Sequence, residues 1–188
     1  VLRPAFPIKT RRLVLRPFAA GDLDAVLDYQ GREDVARYLL WGPLDREAAR
    51  KRLLDQATRT ELVAEGDRLS LACELDGLVI GDVVLFYSSV EHRGVEIGWV
   101  FHPDHHGRGY ATEAATELLR LAFDELGAHR VTARLDADNA ASAALCERLG
   151  MRREALFVKN EVVRGRWTSE AVYALLDEEW AGRQAPPG

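Results

Sequence analysis

The stretch Val95 to Ala115, VEIGWVFHPDHHGRGYATEAA, decides how the rest of the chain is read, because a strand, a glycine-punctuated loop and a helix start follow one another without a gap. Val95, Ile97, Trp99 and Phe101 alternate with Glu96, Gly98 and Val100, the period-two pattern of a strand. One face is bulky and apolar, while the other pairs a carboxylate with a residue that has no side chain and so leaves room for a ligand. His102-Pro103 ends the strand, since proline cannot donate to a ladder. Gly107 and Gly109 let the backbone turn with its amides inward. From Tyr110 onward Ala111, Ala114, Ala115, Leu118, Ala122 and Leu126 recur at helical spacing. The helix packs on the sheet and points its N-terminal amides at the loop, an arrangement that attracts phosphate.

Two phosphate-binding patterns fail on this loop. No Gly-Lys-Ser/Thr follows it, and Gly107-x-Gly109-x-x-Thr112 lacks the third glycine of a dinucleotide fingerprint. The string His106-Gly107-Arg108-Gly109-Tyr110-Ala111 instead resembles motif A of the GNAT-superfamily acetyltransferases, Gln/Arg-x-x-Gly-x-Gly/Ala, with His106 at the Gln/Arg position. With Glu-Ile-Gly-Trp before the loop and Gly-Tyr-Ala-Thr-Glu-Ala after it, the stretch is most similar to the RimJ/RimL branch, the ribosomal-protein N-terminal acetyltransferases and their relatives. Asn139 through Met151 resembles motif B. There Asn139 is a good N-cap, Gly150 a good helix stop, and Ser142 shares a helix face with Cys146. The resemblance runs from Arg11 to Trp180.

The 188 residues fit one domain, residues 1–188, with a core over about 11–180 and a frayed tail at 181–188. A formal charge of -5 gives no support to nucleic-acid binding and mildly favours cationic acceptors. Cys73 and Cys146 lie in apolar segments without metal-ligand spacing, so reduced thiols in a cytoplasmic protein are expected. No run is long enough for a membrane span, and the histidines are not at metal-ligand spacing on any predicted helix.

Around the opening stretch, Arg11 to Phe18 suits a strand, and Asp45 to about Val63 a long surface helix. Leu69–Leu75 and Leu78–Tyr87 are two strands of a hairpin turning at Asp76-Gly77, with Gly81 bending the second or marking a bulge. Arg130–Leu135 is a strand, and Glu154–Leu176 two more, broken near Arg164-Gly165. The fold expected is α/β of the GNAT type: a mixed, mostly antiparallel sheet of about six to seven strands flanked by helices, with its central strands splayed.

The resemblance implies direct transfer of acetyl from acetyl-CoA to a primary amine, with no metal. The donor is then held by the backbone of Val100 and Phe101, by the loop of His106, Gly107, Arg108, Gly109, Tyr110 and Ala111, and by Asn139 and Ser142 on the pantetheine arm. The amide near Val100 is the expected oxyanion donor. Arg108 reads either as a charge near phosphate or as a solvated loop residue. Glu96 is the candidate base, acting through water, or else a carboxylate that binds a cationic substrate or pairs with an arginine. Superfamily members often place a tyrosine acid seven residues after the asparagine. Cys146 stands there, so Ser142 is the candidate donor to the departing thiolate. Tyr38 and Trp41 read either as lining of the acceptor groove or as core. The acceptor is open between a protein N-terminal α-amine and a small molecule such as an amino acid, polyamine or aminoglycoside. The resemblance also implies a homodimer, since the family often forms them, and the exposed strand edges of such a sheet leave room for pairing. A domain that binds acetyl-CoA as a silent sensor is the alternative from another class.

Overall fold

The structure, a computed structural model, describes residues 1–184. Eight strands form one sheet: β1 (Ile8–Lys9), β2 (Val14–Arg16), β3 (Arg68–Leu75), β4 (Leu78–Ser89), β5 (Gly94–Phe101), β6 (Arg130–Asp136), β7 (Arg152–Val163) and β8 (Arg166–Leu176). Their order is β1-β2-β3-β4-β5-β6-β8-β7, one strand or two more than the alternation suggested, because Ile8–Lys9 is too short to show a period. Asp76 and Gly77 both take positive φ (50° and 84°) at the β3–β4 turn, the twist that a tight hairpin needs. The expected irregularity at Gly81 is a bulge: Cys73 faces Gly81 and Glu74 faces Val79, which leaves Ile80 unpaired across from β3. A Cβ at Gly81 would lie 2.5 Å from the Val100 carbonyl oxygen, so the close approach of β4 to β5 requires glycine.

The helices are α1 (Leu23–Gln30), α2 (Glu33–Ala36), α3 (Arg46–Ala57), α4 (Tyr110–Arg120), α5 (Ala140–Arg148) and α6 (Asp177–Gln184). The surface helix expected to reach Val63 stops at Ala57, where Leu62 leaves to pair with Leu2 and bury itself. Residues 181–184, expected to fray, belong to α6, whose Trp180 stacks on Phe123 at 5.8 Å between ring centroids. The remainder of that tail lies outside the described residues.

The alternation of β5 divides the core. Val95, Ile97 and Phe101 are buried against Ala114, Ala115, Leu118 and Leu119 of α4 on one side of the sheet. On the other side Phe18, Val26, Tyr29, Leu53, Ala72 and Val79 form a second cluster, with Val100 packed against it. A π-helical turn, Leu121–Glu125, continues α4. The extra residue rotates the buried stripe so that Leu121, Ala122 and Phe123 all face inward. Helices therefore cover both faces.

The parallel pair in the middle of the sheet opens the site. β5 and β6 pair only at Gly94↔Arg130, Val95↔Val131 and Glu96↔Thr132. Beyond Glu96 both strands continue without pairing to each other, so alternate residues, Ile97, Trp99 and Phe101, offer backbone groups to the gap.

Candidate active site

The donor side is built at the end of β5. His102 caps a short turn over Pro103–His105 by accepting the Asp104 amide on Nδ1 (3.1 Å). The His106 ring then returns to the strand, with Nε2 3.0 Å from the Phe101 carbonyl oxygen, and so fixes the loop to the strand end. Gly107 and Gly109 hold φ of 71° and 80°, and Gly109 is the N-cap of α4. A left-handed backbone there turns the loop amides toward the cavity at little steric cost only in glycine.

Arg12 pins this loop from outside. Its guanidinium donates to the Arg108 carbonyl oxygen (2.8 Å) and to Glu113 (2.7 Å), and it lies 4.5 Å from the centroid of the Tyr110 ring. Burial alone would raise the Glu113 pKa. Hydrogen bonds from Thr10 and Arg12 outweigh it and hold the carboxyl below its ordinary value. The Arg108 side chain is itself exposed and is not part of the cavity lining. The cavity, about 990 Å³, is lined by Val100, Phe101, His106, Gly107, Gly109, Tyr110 and Ala111 from the strand, loop and helix, and by Asn139 and Ser142 from the far side of the splay.

The strand's alternation sets which amides of β5 face the gap. The Val100 carbonyl faces Gly81 on β4, and the His102 amide bonds Ile80 there, so even-numbered residues of β5 direct their backbone to β4. The Val95 and Phe101 carbonyls meet Thr132 and His106 on the opposite side. By the same parity Trp99 and Phe101, rather than Val100, turn their amides into the gap.

Asn139 caps α5 by accepting the Ser142 amide (3.1 Å). The Ser142 hydroxyl oxygen in turn accepts the Trp99 indole N–H at 3.2 Å, across the splay. One lone pair is occupied, and the hydroxyl proton is left to donate elsewhere. Cys146, one turn on, is buried, and burial pushes its thiol pKa up to about 12, so it remains a thiol.

Next to this junction lies a second cavity of about 450 Å³, on the even-numbered face of β5. Tyr38 and Trp41 both line it. Glu96 and Gly98 form part of its floor, and Gly98 has only Val84 Cγ1 within reach of an added Cβ, at 3.1 Å. Burial raises the Glu96 pKa. The nearby Arg134 opposes that shift and Glu170 adds to it. Arg134 and Glu170 are themselves joined by two hydrogen bonds (3.1 and 2.6 Å). Tyr38, Leu39, Trp99, Val100, Asn139 and Ser142 line both cavities and mark where they meet.

Sequence reasoning missed Trp99 as a polar contact, along with Arg52, Asp82 and Arg134 on the groove. Asp82 left a signal, a lone carboxylate in the apolar run Leu78–Phe86. It is buried, and its Oδ2 accepts Tyr29 (2.7 Å) and Gln30 (2.8 Å).

Residues 12–152 match the family model described as an acetyltransferase (GNAT) domain. The uncharacterized N-acetyltransferase YnaD of Bacillus subtilis (strain 168) is 33% identical over 177 residues, which span 92% of this chain and 98% of that protein. The crystal structure of a GNAT-family acetyltransferase from Bacillus anthracis has a TM-score of 0.81 at 34% identity, covering 92% of this chain and 99% of its own. Spermidine N-acetyltransferase from Vibrio cholerae, in complex with CoA and spermine, shares the fold with a TM-score of 0.75 at 20% identity, over 90% of this chain and 98% of that one. A strand that splays after Glu96, a left-handed glycine loop and a capped helix facing it across the gap are thus accounted for together: the chain belongs to the GNAT family of acetyl-CoA-dependent N-acetyltransferases.

Proposed function

We propose that the larger cavity holds acetyl-CoA, that the smaller groove holds a primary amine, and that acetyl passes directly from one to the other in a ternary complex. The observation that carries this reading is the meeting of the two cavities at Trp99 and Ser142. The loop amides of His106 to Ala111 and the N-terminus of α4 receive the pyrophosphate. The unpaired edge of β5 receives the pantetheine amides, as a strand would.

In the groove Glu96 accepts the amine's proton through water, because its burial brings its basicity closer to neutral pH. The free amine attacks the thioester carbonyl, and a C–N bond forms. The oxygen gathers negative charge beside the amides of Trp99 and Phe101. The C–S bond then breaks as the Ser142 hydroxyl gives its proton to the leaving thiolate and its oxygen, which keeps one lone pair beside the Trp99 bond, takes the surplus proton of the new amide nitrogen, so that the serine ends as it began. Cys146 takes no covalent part, since a buried thiol with a pKa near 12 is not a nucleophile.

Ser142→Ala is expected to lower kcat about tenfold with acetyl-CoA affinity unchanged, the effect of one hydrogen bond made in the transition state. Thiol release and calorimetric titration of the donor check it. A donor affinity that falls as far as kcat would make Ser142 a binding residue only.

The RimJ/RimL resemblance implies a protein N-terminal α-amine as acceptor. A second reading, a small amine, is favoured by the walls of the groove. Arg164, at the β7–β8 turn, donates to Glu33 at 3.0 Å and packs 3.7 Å from the Cβ position of Gly42. Residues 38–41 and the hairpin, both of which line the groove, are thereby tied together. Thiol release with peptides against small amines decides between them. The proposal treats the chain as a single catalytic domain acting in the cytoplasm, where two free, buried cysteines stay reduced.

A further inference from the structure

The acceptor groove contains a guanidinium that has no ion-pair partner among the described residues. Its ionisable lining is Arg52 and Arg134 against Asp82, Glu96, Asp136, Glu161 and Glu170. Arg134 is held by Glu170. Among the described residues the Arg52 side chain makes neither a salt bridge nor a hydrogen bond. Its guanidinium carbon lies 3.9 Å from the centroid of the Trp41 ring. Its Nε and the Trp41 indole nitrogen are both buried donors without an acceptor. Asp82 feels Arg52 only through space, and Tyr29 and Gln30 already occupy its Oδ2.

Stacking on an aromatic ring fixes the plane of a guanidinium and removes part of the entropy cost of binding. The result is a preorganised fork whose preferred partner is a carboxylate, received through two parallel hydrogen bonds. Unmet donors at a groove wall are costly unless a ligand satisfies them. Glu96 lines the same groove and suits an ammonium group. Asp82, beside Arg52 on the groove lining, faces Val100 across β4 and β5, and Trp99, where the two cavities meet, lies between Val100 and Glu96 along β5.

We propose that Arg52, positioned by Trp41, holds the carboxylate of an acceptor that carries both an amine and a carboxylate, so that the acceptor is an amino acid or a close relative rather than a polyamine. The inference rests on the transfer reaction proposed above. Arg52 is then a specificity residue, because it selects the acceptor without touching the thioester.

The test measures thiol release from acetyl-CoA by the wild type, Arg52→Gln and Arg52→Lys, with free L-amino acids, the matching amino-acid amides and spermidine. The wild type is expected to favour the best amino acid over its own amide by about tenfold to a hundredfold in kcat/KM, mostly through KM. In Arg52→Gln that acid-to-amide ratio falls to about one, and Arg52→Lys keeps part of it, as a point charge without the fork would. A ratio near one in the wild type, a preference for spermidine, or a ratio that survives Arg52→Gln while both rates drop would overturn the proposal. Turnover of any of these amines would leave direct transfer standing in each of those cases. No release from any amine, with acetyl-CoA bound, would instead remove the transfer reaction and this inference with it.

Discussion

Glu96→Gln is expected to lower kcat/KM for the acceptor by about 10²-fold, the usual contribution of a positioned general base. Donor affinity should hold, because Glu96 lines the acceptor groove and not the larger cavity. In the wild type the rate should rise with pH through the Glu96 pKa, which burial places above the ordinary 4.5. The glutamine variant should lose that limb of the profile.

The same shift has a stability consequence of fixed sign. Between the unfolded carboxyl's pKa and the raised folded one, the native state binds more protons. Stability therefore falls as pH rises through that window, and at neutral pH Glu96 is a net cost to the fold. Glu96→Gln should accordingly melt at a higher temperature than the wild type at pH 7, although it is nearly inactive. A raised KM with kcat intact would reassign Glu96 to binding the cationic substrate.

Gly109→Val is expected to weaken acetyl-CoA binding by about 30-fold or more, since a left-handed non-glycine residue costs roughly 1–2 kcal/mol and a β-branched one more. At Gly109 a second effect adds to the first. Its Cβ would lie 3.3 Å from Arg12 Nη2, the side chain that fixes the loop through Arg108 and Glu113. Gly107 shares the positive φ but has nothing within 4 Å of its Cβ position. Gly107→Val should therefore cost less than Gly109→Val, about tenfold for the backbone strain alone. Calorimetric titration with acetyl-CoA, with melting curves to confirm folding, measures both. Equal losses at the two positions would mean that the Arg12 contact has no part in shaping the loop.

Local patterns in the sequence exposed the elements that surround the donor. Alternation from Val95 to Phe101, paired glycines and the alanine stripe of α4 each follow from the backbone and its immediate neighbours. The Asn139 cap and the Asp76-Gly77 turn are equally local. What escaped was decided by contacts between distant segments. The parity that turns Trp99 rather than Val100 toward the gap depends on which side of β5 receives β4. Trp99 read as an apolar face residue, whereas its indole reaches Ser142, 43 residues away.

The acceptor groove was the least legible region. Arg52 sat in a charged stretch that reads as a solvated helix face, and only the approach of Trp41 from another segment gives it a direction. The early end of α3 came from the same kind of cause, since Leu62 is drawn away by Leu2 near the chain's start. His106 stood as an unusual residue in the loop pattern. The structure shows that its ring fastens the loop to the strand that precedes it.

The most direct test of transfer at the junction of the two cavities is an initial-rate measurement of thiol release, with acetyl-CoA and the best acceptor varied together. Direct attack in a ternary complex predicts double-reciprocal lines that intersect. Parallel lines, the signature of an acetylated enzyme released from CoA before the amine binds, would contradict it.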